Sequence, residues 1–367
     1  MWVLMMHFAS VGALGRTDSA DAYSAFLRFW LATGGSAVGF FFVLSGFILT
    51  HTYHQRLQDN TPAQRQNFWG ARIARIYPTY LLALCLTTTS ALTLGQLGVQ
   101  PWSACTWSTC TAPWLLSALP LQSWFADSLI QQLWNAPGWS IATEAFFYAL
   151  FPWLLRPVMT LTRRWGWWTL TALWLLQNLM FAGLSLYTAQ ASPEFQSALA
   201  WWQERHPLLR LPEFLMGISA WTLYNSHSPS QPRRTSQAIV LIVALNLIWY
   251  LPAPASPWVL HTALSGKAYL LAAPLFAALI HWLATAERQG TEPLTRCLSS
   301  PALVTLGQAS YGLYMIHWFG LQSLYIAFHN QGSPPVWASY LAVALLVTAS
   351  LALHKAYERP LQKHMMA

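Results

Sequence analysis

A single histidine, His7, stands in the opening apolar stretch MWVLMMHFASVGAL, and four further stretches within or at the entry to runs that belong in lipid carry polar side chains of their own. An imidazole is a general base or a nucleophile near neutral pH. Ionisable groups at membrane depth are costly to desolvate and face a cavity or a partner, so each marks a place to look for chemistry. In WNAPGWSIATEAFFYALFPWLL, Ser140, Glu144 and Tyr148 recur every four residues and share a helix face. A carboxylate there reads as a functional group, able to orient an imidazole. In GQASYGLYMIHWFG, Ser310, Tyr314 and His317 again share one face, with His317 either functional or a satisfied structural histidine. In FWGARIARIYPTY, Arg72 and Arg75 are three apart. They either anchor a helix end at lipid headgroups or converge as two guanidiniums on a phosphate-bearing ligand. GGSAVGFFFVLSGFILTHTY sets Ser45 and Gly46 among bulky residues, which suits close helix packing or a polar site.

Ten apolar runs must position these side chains: 1–14, 34–53, 76–95, 139–158, 166–187, 208–224, 237–252, 258–284, 302–328 and 336–354. Of 367 residues 55% are hydrophobic and only 8% charged, against roughly a quarter charged in soluble domains. The expected fold is therefore all-α, a polytopic integral membrane bundle of about ten transmembrane helices forming one domain over residues 1–367. No internal repeat and no second soluble domain is evident. Most runs approach the roughly 20 residues that cross a bilayer. The first reaches only about 21 Å at about 1.5 Å per residue, so a first helix shortened at its N-terminus is expected. No cleavable secretory signal is expected either.

Basic residues accumulate in short cytoplasmic loops. An N-terminus placed inside gives the cytoplasmic face fourteen of the nineteen Lys and Arg residues, so both termini are expected there. The net charge of +8 then reports topology and contact with anionic lipids, and no clustered motif points to nucleic acid. The longest loop, Gln96 to Gly138, falls outside with one charge, Asp127, and five tryptophans. Indole rings favour the interface, so this loop is expected on the membrane surface. Cys105 and Cys110 within it are a candidate disulfide in an oxidising compartment, with two free thiols as the other reading. Without neighbouring histidines they do not suggest zinc, and no metal site is expected. Cys85 reads as buried and Cys297 as a cytoplasmic thiol.

The segments FFVLSGFILT, FWGARIARIYPTY, WSIATEAFFYALFP, RLPEFLMGISAW, SYGLYMIH and YERP follow the order and spacing seen in the acyltransferase-3 family of integral membrane O-acyltransferases. The resemblance runs from residue 2 to about residue 362. It implies a ten-helix domain that takes an acyl group, usually acetyl, from cytoplasmic acyl-coenzyme A. The group passes to a hydroxyl of a glycan or related acceptor, often across the membrane of the bacterial plasma membrane that holds the enzyme. The family also carries an Arg about three turns before a proposed catalytic His in its first span. His7 matches that His, and the Arg position falls before Met1.

Residue chemistry fits this transfer. A hydroxyl attacks a thioester slowly unless a base removes its proton, a role open to His7; His7 could instead accept the acyl group as an acyl-imidazole. Arg72 and Arg75 supply fixed charge for the coenzyme A phosphates. Ser45, Ser310, Tyr314 and His317 are candidates for the oxyanion site or acceptor path. Donor and acceptor are substrates, and no permanently bound cofactor is expected. The acceptor class stays open among lipopolysaccharide, exopolysaccharide and peptidoglycan sugars and macrolide or lipid glycosides. Two other classes fit intramembrane Glu and His: a proton-coupled transporter, against which stands the absence of repeated broken helices, and a catalytically inactive relative.

Overall fold

The computed structural model describes residues 2–10, 36–188, 192–226, 237, 268–290, 293–331 and 334–366, and every regular element among them is helical. In chain order these are α1 (Trp2–Ser10), α2 (Ser36–Tyr53), α3 (Pro62–Gln96), α4 (Trp107–Ala118), α5 (Ser128–Gln132), α6 (Trp139–Trp165) and α7 (Trp167–Thr188). There follow α8 (Pro193–Arg205), α9 (Pro207–Ser226), α10 (Ala268–Gln289), α11 (Pro293–Leu298), α12 (Pro301–Ala327), α13 (Val336–Leu353) and α14 (Arg359–Met366). Among the described residues four helical segments are long and apolar enough to cross a bilayer: Ser36–Tyr53, Ala136–Trp165, Trp167–Thr188 and Val336–Lys363. The run 237–252 and the first third of the run 258–284 lie almost wholly outside the described residues.

Local chemistry sets the helix ends. Five helices start on a proline (Pro62, Pro193, Pro207, Pro293 and Pro301), where the missing N–H costs nothing and φ is already helical. At the start of α3 the Thr61 hydroxyl accepts from Gln64 N–H at 3.3 Å while the Gln64 side chain accepts from Thr61 N–H at 3.2 Å, a reciprocal cap. This start lies fourteen residues before the apolar run at 76, so Arg72 and Arg75 ride within a 35-residue helix rather than at its tip. Asp127 caps α5 by accepting from Leu129 and Ile130 N–H. Gly166 and Gly290, at φ +59° and +70°, stop α6 and α10 in the left-handed conformation glycine adopts without strain.

The described chain gathers into two compact units. The first draws on α1, α3 from Asn67 onward, α4, α5, the first turns of α6, and α12 from Val304 through α14. Its core packs Leu4 and Phe8 of α1 against Tyr80 and Ala83 of α3, Ile141 of α6, and Leu313 and Ile316 of α12. The segment between Gln96 and Gly138 is not an open loop. It folds back as α4, α5 and three short 3-10 turns onto Leu84 and Ala91 of α3, burying Trp134. Cys85 faces outward from this core rather than into it. The turn of helix His354–Glu358 is wound as a π-helix, a form that recurs at functional sites.

In the second unit α2 packs on α9. A Cβ on Gly46 would stand 2.1 Å from the Phe214 carbonyl oxygen, and one on Gly217 would stand 2.0 Å from that of Val43. Only glycine lets the two backbones come this close. Phe42, Phe147 and Phe214 stack around that crossing. Beside it Arg210 and Glu213 form a buried ion pair at 2.9 Å, and Gln177 donates to Glu213 at 3.2 Å and to the Leu209 carbonyl at 3.1 Å.

Candidate active site

Within the first unit α1 and α12 bring together two histidines that lie 310 residues apart. His7 Nδ1 is 2.9 Å from His317 Nε2, and the ring planes are nearly parallel, at an angle of 10°. His317 is wholly buried, and its Nδ1 lies 2.6 Å from the Tyr314 carbonyl oxygen one turn back. A carbonyl only accepts, so with both rings neutral the proton of His317 sits on Nδ1 and its Nε2 carries a lone pair. The contact with His7 then requires the proton on His7 Nδ1. The basic nitrogen of His7 is therefore Nε2. This chain of donors fixes one tautomer and one orientation for the His7 ring, as a second-layer partner does for a catalytic imidazole.

Tyr314 extends the polar group toward α6. Its hydroxyl is 2.9 Å from Ser140 Oγ and donates to the Pro137 carbonyl at 3.2 Å. Pro137 receives Ser140 Oγ–H at 3.1 Å as well. Glu144, 2% exposed, stands one turn beyond Ser140 on α6. Trp318, next to His317 in sequence, meets the edge of the His7 ring at 5.4 Å between centroids. Its indole Nε1–H is buried and has no hydrogen-bond partner among the described residues. An unused donor beside a base is suited to an oxygen that gains negative charge.

The remaining sequence candidates are placed as follows. Arg72 is half-buried and Arg75 exposed on α3; Ile76 and Thr79, one and two turns beyond Arg72, touch α12 and the C-terminal turn. Ser310 is exposed, and its hydroxyl is turned onto the Gly307 carbonyl at 2.6 Å. Ser45 is half-buried on α2, in the second unit. Cys105 and Cys110 are joined as a disulfide, with their Cα atoms 5.6 Å apart.

Sequence reasoning did not single out Trp318, nor the polar cluster that ends the chain. There Glu358 accepts from Thr79 Oγ1 at 3.1 Å and from His354 Nδ1 at 2.8 Å. Arg359 donates to His354 Nε2 at 3.0 Å and also to Gln308. YERP carried the signal for this cluster. Nothing in its spacing says which helix the glutamate reaches.

A family profile described as an acyltransferase domain matches residues 1–354. The acyltransferase MdmB of Streptomyces mycarofaciens is 28% identical over 337 residues, covering 89% of this chain and 80% of its own. A Staphylococcus aureus protein named "Putative O-acetyltransferase" is 21% identical over 354 residues, covering 91% of this chain. The alignment takes in only 54% of that staphylococcal protein. No solved structure matches.

Proposed function

Since the chain belongs to the acyltransferase-3 family and is a membrane O-acyltransferase, we propose that it moves an acetyl-class acyl group from cytoplasmic acyl-coenzyme A to a hydroxyl of a glycan or glycolipid. The acceptor lies on the external side of a bacterial inner membrane. The chain crosses that membrane about ten times, with both termini cytoplasmic. The observation that carries this reading is the His7, His317 and Tyr314 carbonyl chain, which presents His7 Nε2 as a base.

In the transfer, His7 Nε2 takes the proton of the acceptor hydroxyl as its oxygen bonds to the thioester carbon. The carbonyl electrons move onto oxygen, and the Trp318 indole N–H donates to that oxyanion. The intermediate collapses, the carbon–sulfur bond breaks, and the proton on His7 passes to the departing thiolate. His317 keeps the His7 Nδ1 proton engaged throughout, so Nε2 does the proton transfer. A two-step route uses the same nitrogen as nucleophile, through an acyl-imidazole. Ser140 and Tyr314 line the acceptor side, and Glu144 orients polar groups along α6. Arg72 and Arg75 hold the donor phosphates through charge-assisted bonds.

Purified protein in lipid nanodiscs, given radiolabelled acetyl-coenzyme A and membrane glycans from its host, tests this directly. Label should appear in an ester on a carbohydrate hydroxyl, released by mild base, with one free coenzyme A thiol per ester. Donor left intact while a proton gradient drives export of a solute would replace this reading with that of a transporter.

A further inference from the structure

In the first unit a cavity of about 500 Å³ opens between α3 and the folded segment that follows it. That is within the range of about 300–1,000 Å³ for small-molecule sites. Three tryptophans line it, Trp107, Trp114 and Trp134, and the Cys105–Cys110 disulfide forms part of its wall. Trp107 is 88% exposed at its lip, whereas Trp134 is only 5% exposed.

Apart from the indole N–H groups of Trp107 and Trp134, the polar groups of the lining are already engaged. Thr88 Oγ1 donates to the Leu84 carbonyl at 2.7 Å and accepts from Trp114 Nε1–H at 3.0 Å. Thr111 Oγ1 donates to the Trp107 carbonyl at 2.6 Å, and Thr106 caps α4. A sugar ring placed here would leave its water hydrogen bonds unreplaced, which disfavours it. A hydrocarbon chain loses nothing of the kind. Of the two remaining indole N–H groups, that of Trp134 is wholly buried and turned away from the open space, and that of Trp107 belongs to the exposed lip. The occupant that suits this wall is long and apolar.

The cavity also lies close to the level of the histidines. Ser90 Oγ donates to Gln322 on α12 at 2.6 Å. Gln322 is five residues beyond His317, a rise of about 7.5 Å, and Thr88 is about 3 Å along α3 from Ser90. The two helices run parallel, Ile76 meeting Tyr311 and Ser90 meeting Gln322, so Thr88 lies back toward His317 and the wall begins about one helical turn from its level.

We propose that this cavity holds the lipid chain of a glycolipid acceptor, so that the acceptor is lipid-linked rather than a free sugar. The proposal rests on the acyl-transfer reading of the His7 site. Its test does not depend on turnover.

The full chain in nanodiscs is irradiated with dodecyl β-D-glucoside carrying a diazirine at the chain end, and labelled peptides are mapped. Label should fall between Gln96 and Gly138. An excess of dodecyl β-D-glucoside should compete it away, whereas methyl β-D-glucoside should not. Thr111→Trp, which fills the cavity, should cut the competed label tenfold or more. Leu92→Trp, which fills the cavity from the α3 side, should cut it several-fold in a protein of unchanged thermal stability. Label spread over lipid-facing helices, or competed label unmoved by both variants, overturns the proposal even if acyl transfer is demonstrated. Competed label in the cavity of a protein that transfers no acyl group overturns the transfer reading and leaves the lipid site standing.

Discussion

The chemistry assigned to His7 depends on a neighbour that never touches the substrate. His317 holds the His7 ring by one hydrogen bond and is itself held by the Tyr314 carbonyl. His7→Ala should therefore lower acyl transfer about a hundredfold or more, as for a lost base or nucleophile. His317→Ala should lower kcat by about 10- to 100-fold with donor KM held, and added imidazole should restore part of the rate; a loss confined to thermal stability would make His317 a packing residue only. Trp318→Phe tests the oxyanion donor separately. It keeps the ring against His7 and should lower kcat about 100-fold, the lower bound for one lost donor; unchanged kcat removes Trp318 from the site. His7 and His317 were legible one by one, as titratable groups in apolar runs. Their pairing was not, because 310 residues separate them and no local pattern encodes that contact. Trp318 was hidden among 22 tryptophans, since an unused indole donor is visible only once its surroundings are known.

Helix packing in the second unit turns on two glycines, Gly46 and Gly217, whose missing side chains let α2 and α9 touch through their backbones. Gly217→Ala should be destabilising by about 1–3 kcal/mol, the usual cost of overpacking. Gly70→Ala on α3, where an added Cβ meets nothing within 4 Å, should instead stabilise by about 0.5–1 kcal/mol through helix propensity. Thermal unfolding of the two variants in the same detergent measures both, and equal shifts would mean that the helices separate freely. The close packing of Gly46 was one of two sequence readings of FFVLSGF. Its partner in RLPEFLMGISAW was not identifiable, because a glycine within a helix looks the same in sequence whether it packs or faces lipid. The helix starts at prolines, and the continuation of α3 back to Pro62 with them, were not read from the apolar runs, because hydropathy marks lipid contact rather than helix length.

For the whole molecule, composition and six ordered segments were enough to indicate an all-helical membrane acyltransferase, because a membrane forces backbone polar groups into helices whatever the packing. Tertiary detail needed the structure: the segment from Gln96 to Gly138 has mixed polarity and no span-length run, so hydropathy reads it as a surface loop. In the fold it packs back on α3 and walls a cavity. Which side of the membrane it occupies is set by charge rather than by packing. Fourteen of nineteen Lys and Arg residues fall on one face when the spans alternate from an internal N-terminus, and loops rich in these residues resist translocation. A cysteine introduced at Asp127, in a background lacking Cys85 and Cys297, should react with a membrane-impermeant maleimide added outside intact cells. One introduced at Arg163, at the far end of α6, should react only after the cells are opened. The reverse pattern would invert the chain, placing the Arg72 and Arg75 end of α3 away from cytoplasmic acyl-coenzyme A and removing those two residues from the donor site.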